Sequence, residues 1–316
     1  MKRKLRPDIS ISFLEGADYI NILSRHGEKI VCSIRGSKKY DQNIRGAGRW
    51  LRERLIWPYI YRQANAIVAV NHGIAQEMHS YLDPKAAGRI NVITHQPDNS
   101  QVHQLAGEPL PEPYRQLFSG RKMIVSVGRL AQEKGFHLFL PLFKRIQQQV
   151  SEAGYLIVGA GEWQQQLIQE CDRLGLSYSL PEDYRPDKQV YFAGYDKNPV
   201  RFIAAASLFV LPSVHEGYPN ALLEALHTAA AIVAADCPYG PREIIAGIAD
   251  YSAPLDYPFN KQNTTLLPNL SKAGKSRHTL WESTITELLN QQNQPPTPWE
   301  PPAHTGYSWN KLIEEL

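Results

Sequence analysis

Two glutamates separated by seven residues are the side chains of this sequence best placed to do chemistry. Glu216 and Glu224 lie in the segment 213–225, directly after the apolar run 208–211. That run has the length and bulk of a buried parallel strand, so Glu216 is expected in the loop at the strand's C-terminal end. Glu224 is expected inside the following helix, one turn after Asn220 and on the same face. An ordinary strand–helix junction with solvated acids is the simpler interpretation.

The loop between the two glutamates has the residues of a tight turn followed by a helix start. Gly217 suits the turn, Pro219 suits the first helical position, and Leu222 begins the apolar face. The free N–H groups and the partial positive charge of a helix N-terminus attract a phosphate or a sugar hydroxyl. The segment therefore predicts a ligand site where two carboxylates meet a helix start.

This segment resembles the paired-glutamate motif of the retaining glycosyltransferases of family 4, which have the two-domain GT-B fold. The motif's surroundings are present as Glu-Gly-Tyr-Pro-Asn at 216–220, Leu-Leu-Glu-Ala at 222–225 and Asp-Cys-Pro-Tyr-Gly-Pro-Arg-Glu at 236–243. The resemblance implies that Glu216 contacts the donor sugar near its reacting carbon and that Glu224 holds the ribose. It covers roughly residues 5–245 and is most specific over 123–245.

A basic pair follows a second strand-like run. Gly128, Arg129 and Lys134 come directly after residues 123–127. The resemblance implies that this arginine and lysine contact the donor's diphosphate. Arginine binds phosphate bidentately and lysine adds a point charge, which suits a leaving group that gains negative charge. A solvated basic turn is the alternative.

The predicted site contains no metal. No Asp-x-Asp pair, which would hold a metal ion on the diphosphate, occurs in the sequence, so cationic side chains and a helix dipole are expected to bind the donor. The predicted catalytic residues are Glu216, Arg129 and Lys134. The predicted donor-binding residues are Gly128, Arg129, Lys134, Gly217, Tyr218, Pro219, Asn220, Leu222 and Glu224. No cofactor is expected, because the nucleotide sugar, expected to be UDP-linked, is the substrate.

Two other loops leave alternatives open. The run Gly159-Ala-Gly161 lacks the third glycine and the acidic residue of a dinucleotide-binding loop, so a turn lining the donor pocket fits better. His95 is either a group lining an interdomain cleft or a plain loop histidine.

Composition is that of a globular protein of two domains. The chain has 316 residues, 43% of them hydrophobic, and a formal net charge of +3. Residues 1–120 hold 17 Lys and Arg against 11 Asp and Glu, whereas the remainder holds 17 against 20. The basic first part is expected to meet something anionic. Cys32, Cys171 and Cys237 have no metal-ligand spacing and are expected to be buried thiols in a reducing compartment.

Strands and helices alternate along the chain, which predicts an α/β fold with mostly parallel sheets. The resemblance makes this a GT-B fold: two Rossmann-like domains with a cleft between them. We expect an acceptor-side domain over 1–107, a linker over 108–120, a nucleotide-sugar-binding domain over 121–290, and a linker with a C-terminal helix over 291–316. Residues 256–279 are polar and contain proline, so either an insertion or a loose loop is expected there, before a helix at 280–290.

In the resemblance, the N-terminal domain is incomplete. The family's first strands and its glycine-rich loop have no counterpart, so the chain either begins at an internal start or is a shortened form. A non-catalytic nucleotide-sugar-binding subunit that needs a partner chain is therefore an alternative to an active enzyme. A nucleotide-sugar epimerase of similar fold is a third possibility, and it requires acid–base residues in the first domain.

The segment from Arg35 to Arg62 is strongly basic, with eight Lys and Arg and two acids. A helix is expected over 45–63, with Arg45, Arg49 and Arg52 on one face and tryptophan at its edge, as in helices that lie on anionic membranes. A solvated helix face is the alternative. No run has the length of a transmembrane helix and no cleavable signal sequence follows Met1, so the protein is expected in the cytoplasm, peripheral at the inner face of the membrane.

The resemblance implies a hexosyltransferase of cell-envelope polysaccharide or glycoconjugate synthesis. By resemblance, it moves a sugar with retention from UDP-hexose or UDP-N-acetylhexosamine to a glycan or lipid-linked acceptor. Nucleic acid is not expected as a partner.

Overall fold

The first sheet contains four parallel strands among the residues that the structure describes. The structure is a computed structural model, and it describes residues 2–40, 46–229, 231–272, 274–291 and 308–316. The strands follow the order β1-β2-β3-β4. Their bounds are β1 Ile9–Phe13, β2 Lys29–Ile34, β3 Ala66–Ala69 and β4 Ile90–Val92. All four β3 residues are buried, as expected for a parallel strand with both faces covered.

The second sheet contains eight strands in the described part of the chain, in the order β11-β12-β10-β9-β5-β6-β8-β7. The strands are β5 Lys122–Val127, β6 Ala153–Val158, β7 Tyr178–Ser179, β8 Val190–Gly194, β9 Leu208–Leu211, β10 Ile232–Asp236, β11 Phe259–Lys261 and β12 Thr264–Pro268. β11 runs antiparallel to β12, and the other pairings are parallel. The carboxyl ends of β5 and β9, which pair directly, therefore meet at one edge of the sheet.

Helices cover both sheets. They are α1 Lys2–Leu5, α2 Glu15–Leu23, α3 Ala47–Leu51, α4 Trp57–Tyr61, α5 His72–His79, α6 Pro84–Ala87, α7 Asn99–Ala106, α8 Tyr114–Gly120, α9 Phe136–Gln149, α10 Gln164–Leu174, α11 Val200–Ala205, α12 Asn220–Thr228, α13 Pro241–Ala246, α14 Lys275–Asn290 and α15 Trp309–Glu315. Among the described residues, no helix is both long and apolar enough to cross a membrane.

The helix predicted over 45–63 is interrupted by a π-helical turn. Arg52–Ile56 forms that turn between α3 and α4. Residue 45 lies outside the described residues. Because a π turn adds a residue to the helical repeat, the buried side chains Arg52 and Trp57 are five positions apart. The regular helical spacing assumed from the sequence is therefore wrong for this segment.

The prediction of a loose loop over 256–279 is also wrong. Strands β11 and β12 lie there, and every residue of β12 is buried between β10 and β11. Thr264 and Thr265 make this segment polar in composition, but threonine is a good strand residue as well as a polar one. The helix expected at 280–290 begins earlier, at Lys275.

The C-terminal helix packs on the first sheet. Leu312 is buried in a cluster with Val31, Ala66 and Val68, as its amphipathic pattern predicts. Helix α7, in contrast, packs against α11 and α12 of the second sheet. The predicted linker 291–306 lies almost entirely outside the described residues, and the division of the chain at residues 108–120 stays a prediction. The three cysteines are buried and free, as predicted.

Candidate functional site

The ends of β5 and β9 bring two predicted site residues into contact. The Lys134 ammonium donates to both carboxylate oxygens of Glu216, at 2.7 and 2.9 Å. The buried Ser213 hydroxyl donates to Glu216 Oε1 at 2.7 Å. The Lys134 side chain is 22% exposed and that of Glu216 is 7% exposed. The ammonium group is therefore partly open to solvent, whereas the carboxylate is buried in the protein.

The loops that carry this pair touch through their backbones. Gly135, at φ +70°, follows Lys134, and a Cβ there would lie 2.1 Å from the Pro212 carbonyl oxygen. The backbone N–H of Val214 donates to the Glu133 carbonyl at 2.7 Å. Only a glycine permits this approach, and the approach places Lys134 opposite Glu216.

Arg129 lies on the same loop but binds acids of its own domain. Its guanidinium contacts Glu133 and, at 3.4 Å, Glu162. The side chain is 59% exposed, so its donors remain accessible to a ligand. Gly128 lies under the Lys134 side chain, whose Cδ is 3.5 Å from a Cβ built at that position.

Glu224 lies in helix α12, and burial is the main influence on the pKa of its carboxyl group. It is half-buried, and none of the described residues bonds to its carboxylate or pairs with it. Burial raises the pKa of Glu224 from 4.5 to about 7. A carboxyl group kept near its titration point, without a partner, is a common property of functional sites.

The remaining predicted donor-binding residues lie around the start of α12. Asn220 is exposed at the first position of the helix, directly after the buried Pro219. Leu222 is fully buried in the core, so only its backbone is available to a ligand. Gly217 and Tyr218 lie where the two sheets meet, because Tyr218 packs against the cores of both.

The first sheet closes the site through backbone and polar contacts. A Cβ at Gly217 would lie 2.1 Å from the Arg35 carbonyl oxygen, at the end of β2. The Asn71 amide donates to the Gly217 carbonyl at 2.5 Å. Burial raises the pKa of Tyr218 to about 12, against the opposing effect of a hydrogen bond with Thr94. The predicted cleft therefore has a wall from each sheet.

A histidine–carboxylate contact between the two domains has no counterpart in the sequence-based predictions. His72 Nδ1 lies 2.7 Å from Glu243 Oε1, and the backbone N–H of His72 donates to Glu243 Oε2 at 3.0 Å. Next to it, the Arg242 Nε donates to both oxygens of Asp236 at 3.0 Å, and this ion pair is buried. The run 236–243 is part of the family motif, but residue types alone do not reveal that it also joins the two domains.

The basic loop after β2 is partly engaged within its own domain. The Lys38 ammonium pairs with Glu15 at 2.9 Å, and the backbone N–H groups of Lys38 and Lys39 donate to Glu77 at 2.6 and 2.8 Å. Arg35 is exposed. Burial and the neighbouring Arg35 charge lower the pKa of His95, so these two groups lie on the same side of the cleft.

Metal ligation has no structural support in the described ranges, where no group of three or more His, Cys, Asp or Glu side chains could hold an ion.

The fold and this cleft define the class. Two α/β domains with charged groups at the strand ends that face each other form the GT-B architecture. The Anabaena protein HepE, solved in complex with UDP and glucose, has this fold, with a TM-score of 0.65 at 16% identity over 92% of this chain and 70% of that one. The predicted fold class, α/β of GT-B type, is thereby confirmed.

The family is identified by sequence. Residues 114–247 match the family model described as "Glycosyl transferases group 1". This match confirms the predicted resemblance to glycosyltransferase family 4.

Two curated relatives show how far the similarity extends. An uncharacterized glycosyltransferase of Methanocaldococcus jannaschii is 28% identical over 205 residues, which is 65% of this chain and 48% of the relative. The N-acetylgalactosamine-N,N'-diacetylbacillosaminyl-diphospho-undecaprenol 4-alpha-N-acetylgalactosaminyltransferase of Campylobacter jejuni is 30% identical over 123 residues, 39% of this chain and 30% of the relative. The matched part thus spans less than half the length of each.

Proposed function

We propose that this chain transfers a hexosyl or N-acetylhexosaminyl group from a UDP-sugar to a glycan or lipid-linked acceptor, with retention of configuration. The supporting observation is the Lys134–Glu216 ion pair, anchored by Ser213, at the mouth of the interdomain cleft. A cation and a carboxylate held side by side match the two ends of a nucleotide sugar, which are an anionic diphosphate and a hydroxyl-rich ring.

In this proposal, Lys134 and Arg129 bind the diphosphate as it leaves. Lys134 has three N–H donors, and two of them go to Glu216, so one is left for a phosphate oxygen while that contact persists. The exposed Arg129 guanidinium adds a bidentate contact. Both charges stabilise the leaving diphosphate, where negative charge develops in the transition state.

Glu216 orients the donor sugar near its reacting carbon. Its carboxylate accepts from Ser213 and Lys134, which fixes its position before the sugar arrives. The bond between the reacting carbon of the sugar and the diphosphate breaks while Lys134 and Arg129 hold the diphosphate in place. The acceptor hydroxyl attacks that carbon from the same face and gives its proton to the departing phosphate oxygen, so the configuration is retained without a covalent intermediate. Glu224 holds the ribose from helix α12.

A lipid-linked acceptor is favoured by the relatives. The C. jejuni protein acts, by its name, on a diphospho-undecaprenol carrier. The basic first domain, which forms the opposite wall of the cleft, suits an anionic carrier of this kind.

A non-catalytic nucleotide-sugar-binding subunit is the second candidate. One observation favours it: the predicted donor contacts all come from the second domain, so donor binding does not require the first domain. These contacts are Gly128, Arg129, Lys134, Glu216 and Glu224. Such a subunit binds UDP but transfers no sugar without a partner chain.

Titration calorimetry with UDP tests the donor site. We expect Lys134→Ala to weaken UDP binding roughly ten- to a hundredfold, because a hydrogen bond to a charged group contributes about 1.5–3 kcal/mol. Lys122→Ala is the matched control, since Lys122 pairs with Glu152 at 2.9 Å at the opposite end of β5. An unchanged dissociation constant for the folded Lys134→Ala variant refutes the site. Transfer of sugar by the purified chain then separates the enzyme from the binding subunit.

A further inference from the structure

The helical segment 47–61 presents an apolar surface to solvent. Five large apolar or aromatic side chains on it are more than a third exposed: Trp50, Leu51, Leu55, Ile56 and Tyr59. Singly exposed apolar residues are ordinary, but five on fifteen consecutive residues form a patch of the kind that marks an interaction surface.

The π-helical turn explains why this patch exists. It directs Arg52 and Trp57, five residues apart, into the core. The three residues between them that are exposed, Arg54, Leu55 and Ile56, consequently face solvent together. A regular α-helix would have returned one of these positions to the buried face.

Two arginines flank the patch, and the described residues provide neither with a carboxylate. Arg54 is exposed without an ion pair to them, and the Arg62 guanidinium lies over the Tyr59 ring, 4.8 Å from its centroid. The other two arginines of this helix are engaged, since Arg49 pairs with Glu53 at 2.6 Å and Arg52 is buried beside Glu15. The arginine charges that lack a described carboxylate partner therefore lie beside the exposed apolar patch and not on the helix face predicted from the sequence.

Arg54 and Arg62 also line a cavity of about 420 Å³. Its other lining residues are Leu55, Pro58, Tyr59 and Asp83. The Asp83 carboxylate is occupied as a helix cap, because its Oδ1 accepts from the backbone N–H groups of Lys85 and Ala86 at 3.0 Å. The cavity thus combines two cations and one capped carboxylate with apolar walls, and this net positive, partly apolar lining suits a phosphate headgroup with its acyl chain.

We propose that the surface formed by Trp50, Leu51, Arg54, Leu55, Ile56, Tyr59 and Arg62 docks on an anionic phospholipid bilayer. Leucine, isoleucine and tryptophan enter the boundary between headgroups and acyl chains, and the two arginines bind lipid phosphates. The inference rests on the proposed function in one respect only: docking on the bilayer would bring the first domain to a lipid-linked acceptor.

This surface replaces the one expected from the sequence. Of the predicted trio, Arg52 is buried and Arg49 is paired with Glu53, while Arg45 lies outside the described residues. Substituting Arg49 and Arg52 would therefore disturb the fold or a surface ion pair. The informative charge variant is Arg54→Ser with Arg62→Ser.

Vesicle co-sedimentation tests the inference with the full chain. We expect binding to vesicles of phosphatidylcholine with 30% phosphatidylglycerol, a loss of binding in 0.5 M salt, and little binding to pure phosphatidylcholine. The Arg54→Ser, Arg62→Ser variant is expected to partition roughly 25-fold less, since each basic residue near an anionic surface contributes about fivefold. The Trp50→Ser, Leu55→Ser variant is expected to lose about tenfold or more through lost apolar burial.

The matched control removes two exposed arginines of the second domain. Arg173→Ser with Arg185→Ser lowers the net charge equally, and these side chains are 65% and 60% exposed. Equal loss of binding in control and test variants overturns the docking surface, as does equal sedimentation with neutral and anionic vesicles. A dimer in light scattering that Trp50→Ser, Leu55→Ser converts to a monomer, without vesicle binding, also overturns it in favour of a second copy.

Calorimetry with UDP separates this inference from the proposed function. Variants of the proposed docking surface that retain wild-type UDP affinity are folded. Their loss of vesicle binding is then caused by the substituted surface residues and not by unfolding. If the wild-type chain binds anionic vesicles but not UDP, the proposed function fails and the docking surface stands.

Discussion

Replacing Glu224 with glutamine is expected to stabilise the empty protein and to weaken its binding of UDP. Burial raises the pKa of Glu224 from 4.5 to about 7. A group whose pKa is higher in the folded than in the unfolded state holds its proton more tightly when folded. Stability therefore falls as the pH rises from about 4.5 to about 7, and the whole cost is present at pH 8.

The magnitude follows from the same pKa. A rise from 4.5 to about 7 corresponds to about 3 kcal/mol at pH 8 as an upper limit. The side chain of Glu224 is partly exposed, and solvent screening reduces this to ~1–2 kcal/mol. Glutamine has the same shape without the charge, so Glu224→Gln is expected to raise the Tm of this 316-residue chain by about 1.5–3 °C at pH 8. At pH 5, where the folded protein already holds the proton, the gain is less than about a third of that.

Ligand binding is expected to change in the opposite sense. An ionised carboxylate that accepts from ribose hydroxyls forms stronger hydrogen bonds than an amide, by about 1 kcal/mol, so Glu224→Gln weakens UDP binding roughly five- to tenfold at pH 8. At pH 6 most of the wild-type carboxyl is protonated, and the two proteins converge. The terminal phosphate of UDP titrates near pH 6 as well, but it does so equally for both proteins, so their ratio isolates Glu224.

Thermal denaturation and titration calorimetry at pH 5, 6 and 8 measure these effects. Glu182→Gln is the matched control, because Glu182 is exposed and has no ion pair within the described part of the chain. A lower Tm for Glu224→Gln at pH 8 contradicts the buried, unpartnered carboxyl. A UDP affinity that stays the same at pH 8 contradicts its assignment to the ribose.

Two further substitutions separate the roles within the site. Glu216→Gln is expected mainly to lower kcat, and Glu224→Gln mainly to raise KM for the donor; steady-state kinetics with the same pattern for both would show that the division of roles is wrong. Gly217→Ala is expected to push the Arg35 loop away, because a Cβ there would lie 2.1 Å from the Arg35 carbonyl oxygen. Transfer should fall about tenfold or more while UDP affinity stays within about threefold. Gly120→Ala, which meets no atom within 4 Å, is its control, and an equal loss of transfer in both variants would refute the wall contact.

The second domain was largely predictable because its signals are local. The segments 123–134 and 208–225 each contain a strand, a turn and a helix start in sequence, so Lys134 and Glu216 could be placed at strand ends from residue types alone. Their mutual contact depends on the pairing of β5 with β9, which are more than eighty residues apart. No local pattern reveals that pairing, and only the family resemblance brought the two side chains together.

The errors have a different physical origin. The prediction for the helix over 45–63 rests on one helical period throughout, whereas the π turn at 52–56 places Arg52 in the core and not on the surface. Strand β12 has a polar start, yet it is buried because β10 and β11 flank it and helices α13 and α14 pack against it. The contact of His72 with Glu243 joins residues that have no common local pattern. In each case, tertiary packing decided the outcome.

The Lys134–Glu216 and Arg129–Glu133 pairs have a consequence for which anions the donor site accepts. Each cation proposed to bind the diphosphate already has a carboxylate partner, so the charges at this site nearly cancel. In the proposed function, each cation shares its N–H donors between its own carboxylate and the diphosphate. A small inorganic anion gains little from a site whose charges nearly cancel, because it offers neither a sugar nor a nucleoside for further contacts. The site is thereby insulated from the free phosphate of its surroundings, and its selectivity for a whole nucleotide sugar begins before any contact with the base.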